Sequence, residues 1–226
     1  MATLFVIGTP IGNLGDISFR AVETLKAVRL VAAEDTRRTL KLLTHFGIRV
    51  TMLSCRSGNE KVAAQKVVSF LNSGGDVAYT SDAGTPGISD PGSALVRAVS
   101  AAGHVIIPIP GPSAFASLIS VSGAMDKTIM FEGFLSPKPR RRCMRVKELL
   151  DTGNAFVLYE SPFRIVKLLQ DLAEFDNERY VCVGREMTKF HEEYLRGSVA
   201  EILTVLSGRS EQMGEFSIFV SGKMCR

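Results

Sequence analysis

Two α/β domains are predicted for this chain of 226 residues, with helices around a mostly parallel sheet in the amino-terminal part and a mixed sheet in the carboxyl-terminal part. Three observations predict it. Short β-branched or aliphatic runs alternate with longer stretches of helical period. The alternation stops at Gly123-Ala124-Met125-Asp126-Lys127 and then begins afresh. The most unusual turns fall directly after predicted strands, as they do where helices cover a parallel sheet.

The first run, residues 4–7, is apolar without a polar face, so it reads as a buried strand; Gly8, Pro10 and Gly12 end it far too early for a membrane span, and no basic segment precedes it. Further strands are expected at 30–33, 50–53, 77–79 and 105–107, with helices at 18–27, 36–46, 60–71, 93–102 and 113–120 between and after them. Ser89, Asp90 and Pro91 are of the cap and first-turn type for the helix at 93–102. The apolar region 105–121 is cut by Pro108, Pro110, Gly111 and Pro112 into strand, turn and helix. Strands at 129–133, 155–159, 180–184 and 216–220, a candidate further strand at 191–195, and helices at 140–150, 163–173 and 199–206 make the second set. The domains are therefore drawn as 1–125 and 126–226.

Composition narrows the class. At 46% apolar and 22% charged residues the chain can bury a sizeable core, and a net charge of +4 with a pI near 8.9 permits an anionic partner without demanding one. Cys55, Cys143, Cys182 and Cys225 lie far apart with no C-x-x-C pair, which argues against a zinc site or a disulfide framework and suits a reducing cytosol. His45, His104 and His191 lack metal-ligand spacing. The reading is a cytoplasmic protein without a structural metal.

Four turns sit where α/β proteins bind ligands, at the carboxyl ends of strands: GTPIGNLGD, AEDTRR, SDAGTPG and PIPGPSA. The third belongs to TSDAGTPGISDPG, residues 80–92, in which glycine allows close backbone approach, proline fixes the turn and aspartate offers acceptors. No G-x-x-x-x-G-K-[ST] or G-x-G-x-x-G is present, so neither a Walker nucleotidase nor a dinucleotide enzyme is supported. The residues alone lead to an α/β ligand-binding enzyme.

TPIGNLGDIS with RAVETL behind it, AEDTRRTLKLL, TSDAGTPGISDPG, PGPSA and FEGFLSPK, in this order and spacing, resemble the tetrapyrrole-methylase superfamily of S-adenosylmethionine enzymes, over nearly the whole chain. Within it they are similar to the branch that methylates a cytidine 2′-hydroxyl of small-subunit ribosomal RNA. Tetrapyrrole enzymes usually carry Gly-Asp-Pro after the fourth strand, where this chain has Ser81-Asp82-Ala83-Gly84-Thr85-Pro86. Members of the RNA branch commonly continue into a small basic helical domain, whereas this sequence stops at Arg226.

The resemblance implies S-adenosylmethionine as cofactor, a homodimer, and small-subunit ribosomal RNA or the assembled small subunit as partner. By position in the family pattern Pro10 closes the first turn, Asp82, Ala83, Gly84 and Thr85 face the cofactor, and Ser113 and Ala114 line the adenosine pocket. Tyr159, Gly184 and Arg185 would close over it from the second domain. Turn and helix-start chemistry accounts equally for Pro10, Ser113 and Ala114.

Methylation of a ribose hydroxyl needs a proton acceptor, exact placement, or both. Glu34, Asp35, Glu132 and Glu160 are carboxylates at predicted strand ends, and each could equally be a hydrogen-bonded structural residue. Arg37 and Arg38 could hold phosphates or be exposed helix arginines. Lys138, Arg140, Arg141, Arg142, Arg145 and Lys147 put six cations into residues 138–147 with no acid among them, which suits RNA phosphates. A methyltransferase of tetrapyrroles or other small molecules is the alternative with the same cofactor, and a non-catalytic RNA-binding module is the alternative of another class.

Overall fold

The computed structural model describes residues 2–223, in two compact units that divide after Ser113. In the first unit, β1 (Thr3–Ile7), β2 (Leu30–Ala33), β3 (Thr51–Ser54), β4 (Val77–Thr80) and β5 (Val105–Ile109) form one parallel sheet in the order β3-β2-β4-β1-β5. Residues of each strand face alternately to the two sides. Ile7, Val31 and Ala78 pack against α1 (Phe19–Ala27) and α2 (Thr36–His45) through Leu25 and Leu43. Leu4, Ala32 and Tyr79 pack on the other side against α3 (Glu60–Asn72) and α4 (Ser93–Ala101) through Val67 and Leu95.

This division follows from the order of the strands. The connections through α1 and α2 run outward to β3, whereas those through α3 and α4 run back to β5, and right-handed crossovers in opposite directions put their helices on opposite faces. The chains leaving β2 and β4, which are neighbours, therefore part at the carboxyl edge and open a crevice there.

In the second unit, α5 (Ala114–Ser122) packs by Leu118 on one face of a sheet ordered β6-β7-β10-β8-β9. Its strands are β6 (Ile129–Phe134), β7 (Ala155–Glu160), β8 (Tyr180–Arg185), β9 (Glu193–Ser198) and β10 (Phe216–Val220). The pair β6 and β7 is parallel; β10 runs antiparallel to both β7 and β8, and β9 antiparallel to β8. The opposite face, with Phe156, Leu158, Val183 and Ile218, is covered by α6 (Pro139–Asp151), α7 (Ile165–Phe175) and α8 (Val199–Ser207).

The predicted elements form, a parallel sheet followed by a mixed one, with ends displaced by a few residues; the candidate strand at 191–195 is β9. Two expectations are corrected. The boundary drawn between residues 125 and 126 lies a helix too late, because α5 buries Leu118 and packs Ala114 and Phe115 against strands of the second sheet. Ser89, Asp90 and Pro91 do not cap α4, whose cap is Gly92 at φ 133°. The free amides of Gly92 and Ala94 donate instead to Glu60 Oε1, at 2.9 and 3.0 Å. Glu60 is the first residue of α3, so one carboxylate serves two helix starts. Cys55, Cys143 and Cys182 are free thiols, and Cys225 lies outside the described residues. Among the described residues no helix is long and apolar enough to cross a membrane.

The loops after β1 and β5 meet backbone to backbone. Gly8 N–H donates to Ile109 O at 3.0 Å, and a Cβ on Gly111 would stand 2.4 Å from Gly8 O. Neither neighbour can swing away as a side chain would. Gly111→Ala should therefore destabilise the protein by about 1–3 kcal/mol, while Gly58→Ala, with nothing within 4 Å of the added methyl, should be near neutral. Urea unfolding of both variants checks this.

Candidate functional site

The carboxyl edge of the first sheet is assembled by hydrogen bonds between loops that are distant in sequence. Thr9 and Gly84 exchange both backbone bonds, at 2.9 and 3.0 Å, which draws the turn after β1, with Pro10, onto the loop after β4. Gly84 has φ 78°, in the left-handed region that a side chain would strain. Thr85 Oγ1 donates to Pro112 O at 3.2 Å and so ties the same loop to the turn after β5.

At the crevice between β2 and β4 the ties run through carboxylates. Asp82 N–H donates to Glu34 Oε2 at 3.1 Å, and Asp35 N–H donates to Asp82 Oδ1 at 3.0 Å. Each loop offers one carboxylate and one amide to the other. Below this exchange the Thr39 and Thr80 hydroxyls meet at 3.2 Å, and Glu34 N–H donates to Thr80 O at 3.1 Å. Arg38 Nε stands 3.5 Å from Asp82 Oδ2.

Asp35 has another task. It caps α2 by accepting from Arg37 N–H at 2.8 Å, and Arg37 also grips its side chain through Nε and Nη2, at 3.1 and 2.8 Å. These bonds hold the Asp35 carboxyl down at about 2. It is thus a weak proton acceptor, and it reads as a cap. Glu34 is the contrary case: burial pushes its carboxyl above the usual range, against the Asp82 amide that favours the charged form, and the negative charges of Asp82 and Asp90 add to the rise. Asp90 is raised by burial as well, with the Ser81 hydroxyl opposing.

The donor set can be tested against S-adenosylmethionine, a sulfonium cation bearing amino, carboxylate and hydroxyl groups. The loops at residues 8–14, 81–92 and 110–113 contain no lysine or arginine, and Ile11 stands 3.4 Å from where a Cβ on Gly84 would lie, while Arg38 of α2 stands beside Asp82. Carboxylates and apolar walls suit such a cofactor, and the lack of cations in these loops does not suit a polyphosphate.

The second-unit residues are placed as follows. Tyr159, near the end of β7, makes edge contacts with the rings of Phe131 and Phe134 at centroid distances of 5.0 and 5.7 Å. A Cβ on Gly184 would lie 2.7 Å from Met187 Sδ, so internal packing accounts for that glycine. Arg185 donates through Nε to Met213 O at 2.7 Å and pairs with Glu193 at 3.6 Å. Glu132 stands where β6 bulges against β7, and both its oxygens are bound by Arg145, at 2.7 and 2.8 Å. Glu160 is buried, bonded to Arg164 at 2.6 Å and to Ser161 N–H at 2.7 Å, while its Oε2 has no partner. Ser113 and Ala114 straddle the division between the units, Ala114 opening α5.

The basic segment is less open than its sequence suggests. Arg142 is buried and paired with Asp171 of α7, Arg145 is held by Glu132 and Glu148, and Lys147 pairs with Asp151. Helix periodicity turns Arg142 inward, which a count of charges along the chain cannot reveal. Lys138, Arg140 and Arg141 remain exposed and make no ion pair among the described residues. Glu60 and three exposed phenylalanines, treated below, are what sequence reasoning missed, since neither motif nor spacing marks them.

Residues 3–203 match the family described as tetrapyrrole (corrin/porphyrin) methylases, and the chain belongs to that family. Its members take the methyl group from S-adenosylmethionine, and this chain is a methyltransferase of that kind. It is 45% identical over 219 residues to the ribosomal RNA small subunit methyltransferase I of Borrelia garinii subsp. bavariensis, covering 96% of this chain and 98% of the relative. The protein of the same name from Xylella fastidiosa strain Temecula1 is 45% identical over 222 residues, covering 97% and 81%. The crystal structure of the methyltransferase CobJ superposes with a TM-score of 0.70 over 100% of this chain and 96% of that one, at 18% identity, a likeness of fold alone.

The raised carboxyl of Glu34 has a consequence for stability. A folded-state value above the unfolded one means that ionised Glu34 costs stability, and the cost disappears as pH falls below about 4.3, the ordinary glutamate value. Glu34→Gln keeps an acceptor for the Asp82 amide and removes the charge. It should raise the melting temperature near neutral pH, with the gain shrinking towards about pH 4; thermal melts at both pH values check the sign.

Proposed function

We propose that this methyltransferase acts on a ribose hydroxyl of small-subunit ribosomal RNA, that of a cytidine. The observation that carries the reading is the shared name of relatives at 45% identity whose matches span 96% and 97% of this chain, against the 18% of the structurally similar CobJ. That name is common to a relative covered over 98% of its length and one covered over 81%. The loop Ser81-Asp82-Ala83-Gly84-Thr85-Pro86, without the Gly-Asp-Pro of tetrapyrrole enzymes, points the same way.

The chemistry asks for alignment before it asks for a base. Bound S-adenosylmethionine would supply the methyl group, its carbon–sulfur bond breaking to leave a neutral thioether as the hydroxyl oxygen bonds the methyl carbon in line and gives up its proton to an acceptor. Asp82 and Thr85 orient the cofactor, and Glu34, at the crevice between β2 and β4 with its carboxyl raised by burial, is the proton acceptor offered from the first unit. Asp35 is bound to Arg37 and Glu132 to Arg145, so neither is offered as a base. Lys138, Arg140 and Arg141 contact RNA phosphates, with Arg37 and Arg38 as further exposed guanidinium groups. The active form is a cytoplasmic homodimer, and its substrate is presented on the assembled small subunit.

Mass mapping of ribosomal RNA from cells with and without the protein, paired with methyl transfer to purified small subunits, tests the reading. Deletion should remove one ribose methyl group, and the purified protein should restore it. An unchanged RNA together with a methylated tetrapyrrole would overturn it.

A further inference from the structure

The second sheet has a carboxyl edge of its own, and its chemistry differs from that of the first. Strands β6 and β7 are parallel, and β10 begins opposite both Glu160 of β7 and Arg185 of β8, so the ends of β6, β7 and β8 lie along one edge. Each end carries a phenylalanine that folding leaves in water. Phe134 closes β6 and is 59% exposed, Phe163 follows β7 and is 86% exposed, and Phe190 lies between β8 and β9 and is 96% exposed. A phenylalanine so exposed does nothing for a core, and three along one edge form a pattern that single surface apolar residues do not.

Two of these rings touch another ring. Phe134 leans edge-on against Tyr159 at 5.7 Å, and Phe190 against His191 at 5.0 Å. Phe163 sits in the turn that Arg164 closes by bonding Glu160. The backbone under Phe190 is itself constrained, with Glu186 and Thr188 at φ 49° and 67°. Strand spacing of about 4.8 Å puts β6 and β8 roughly 14 Å apart.

Charge selects the occupant. Lys138, Arg140 and Arg141 start α6 directly beyond Phe134, exposed and unpaired among the described residues, at the helix end where cations are least favourable. Of the acids of the edge, Glu160 pairs with Arg164, Glu186 and Glu215 share Lys189, and Glu192 accepts from the Thr188 amide and the Tyr194 hydroxyl, so the cationic end of the edge is the one beside Phe134. Exposed aromatic rings beside uncompensated cations are the means by which proteins hold unpaired nucleotides, since every base has a face to stack.

We propose that this edge is a stacking platform for single-stranded RNA, with Phe134, Phe163 and Phe190 carrying unpaired bases and Lys138, Arg140 and Arg141 holding the adjoining phosphates. It rests on the ribosomal RNA reading and adds how that RNA is held: the target strand is opened, and its bases leave their own stack for these rings.

The test uses the full chain and a single-stranded RNA of mixed sequence about 12 nucleotides long, within the span such surfaces cover, with a duplex of the same sequence beside it. Phe134→Ala, Phe163→Ala and Phe190→Ala should each weaken single-strand binding about 5- to 100-fold, spare duplex binding, and leave the salt dependence unchanged. Tyrosine at the same positions should restore affinity. Replacing Lys138, Arg140 and Arg141 together by glutamine should instead flatten the log–log salt slope by about 2. Thermal melts confirm that the variants fold. Alanine variants that bind single strands as the parent does, or that convert a dimer to monomers with RNA binding intact, overturn the platform. If the parent itself neither binds RNA nor methylates small subunits, the proposed function fails with it; if the parent does both and the alanine variants match it, the platform alone fails.

Discussion

The first unit depends on one exchange: Glu34 accepts the amide of Asp82 while Asp82 accepts the amide of Asp35. Strand order parts the chains leaving β2 and β4, and a parting leaves backbone donors without strand partners. Two carboxylates supply what the sheet no longer does. Because both bonds are charge-assisted and partly shielded, the β4 loop is fixed against its neighbour, and Thr9, Gly84, Thr85 and Pro112 fix it on the other side. A cofactor meeting this loop meets a surface already formed.

The second unit deals with its charges in the opposite way. Acids that looked available as bases, Glu132 and Glu160, are bound to Arg145 and Arg164, and half of the basic segment is absorbed by pairs with acids. Exposed at the carboxyl edge are three phenylalanines and, beyond Phe134, the cations Lys138, Arg140 and Arg141, with Glu192 and Glu215 exposed towards Phe190. On the proposed reading, one sheet edge serves a small cationic cofactor and the other a polyanion with flat bases.

Legibility in the sequence followed the range of the interaction. Strands such as residues 30–33 and 216–220 were readable to the residue, since an unbroken aliphatic run has little else to do. The four turns were readable because glycine and proline mark backbone shape locally. The capping of α4 by Glu60, 32 residues before Gly92, was not, since Ser89 and Asp90 offer a better local cap that tertiary structure declines to use. Charge counting likewise overstated the basic segment, because burial of Arg142 is decided by Asp171 on another helix. The motif family pointed to Asp82, and only the fold revealed that Glu34 orients it.

The central claim is that the tied loop after β4 holds the methyl donor, and a double-mutant cycle on S-adenosylmethionine affinity, measured by calorimetry for Glu34→Ala, Asp82→Ala and the double variant, addresses it most directly. The account predicts that each single change weakens binding and that the double variant loses clearly less than their sum, by more than the roughly 0.5 kcal/mol within which independent sites add. Parent-like affinity in the Asp82 variant, or strict additivity in the cycle, would contradict it.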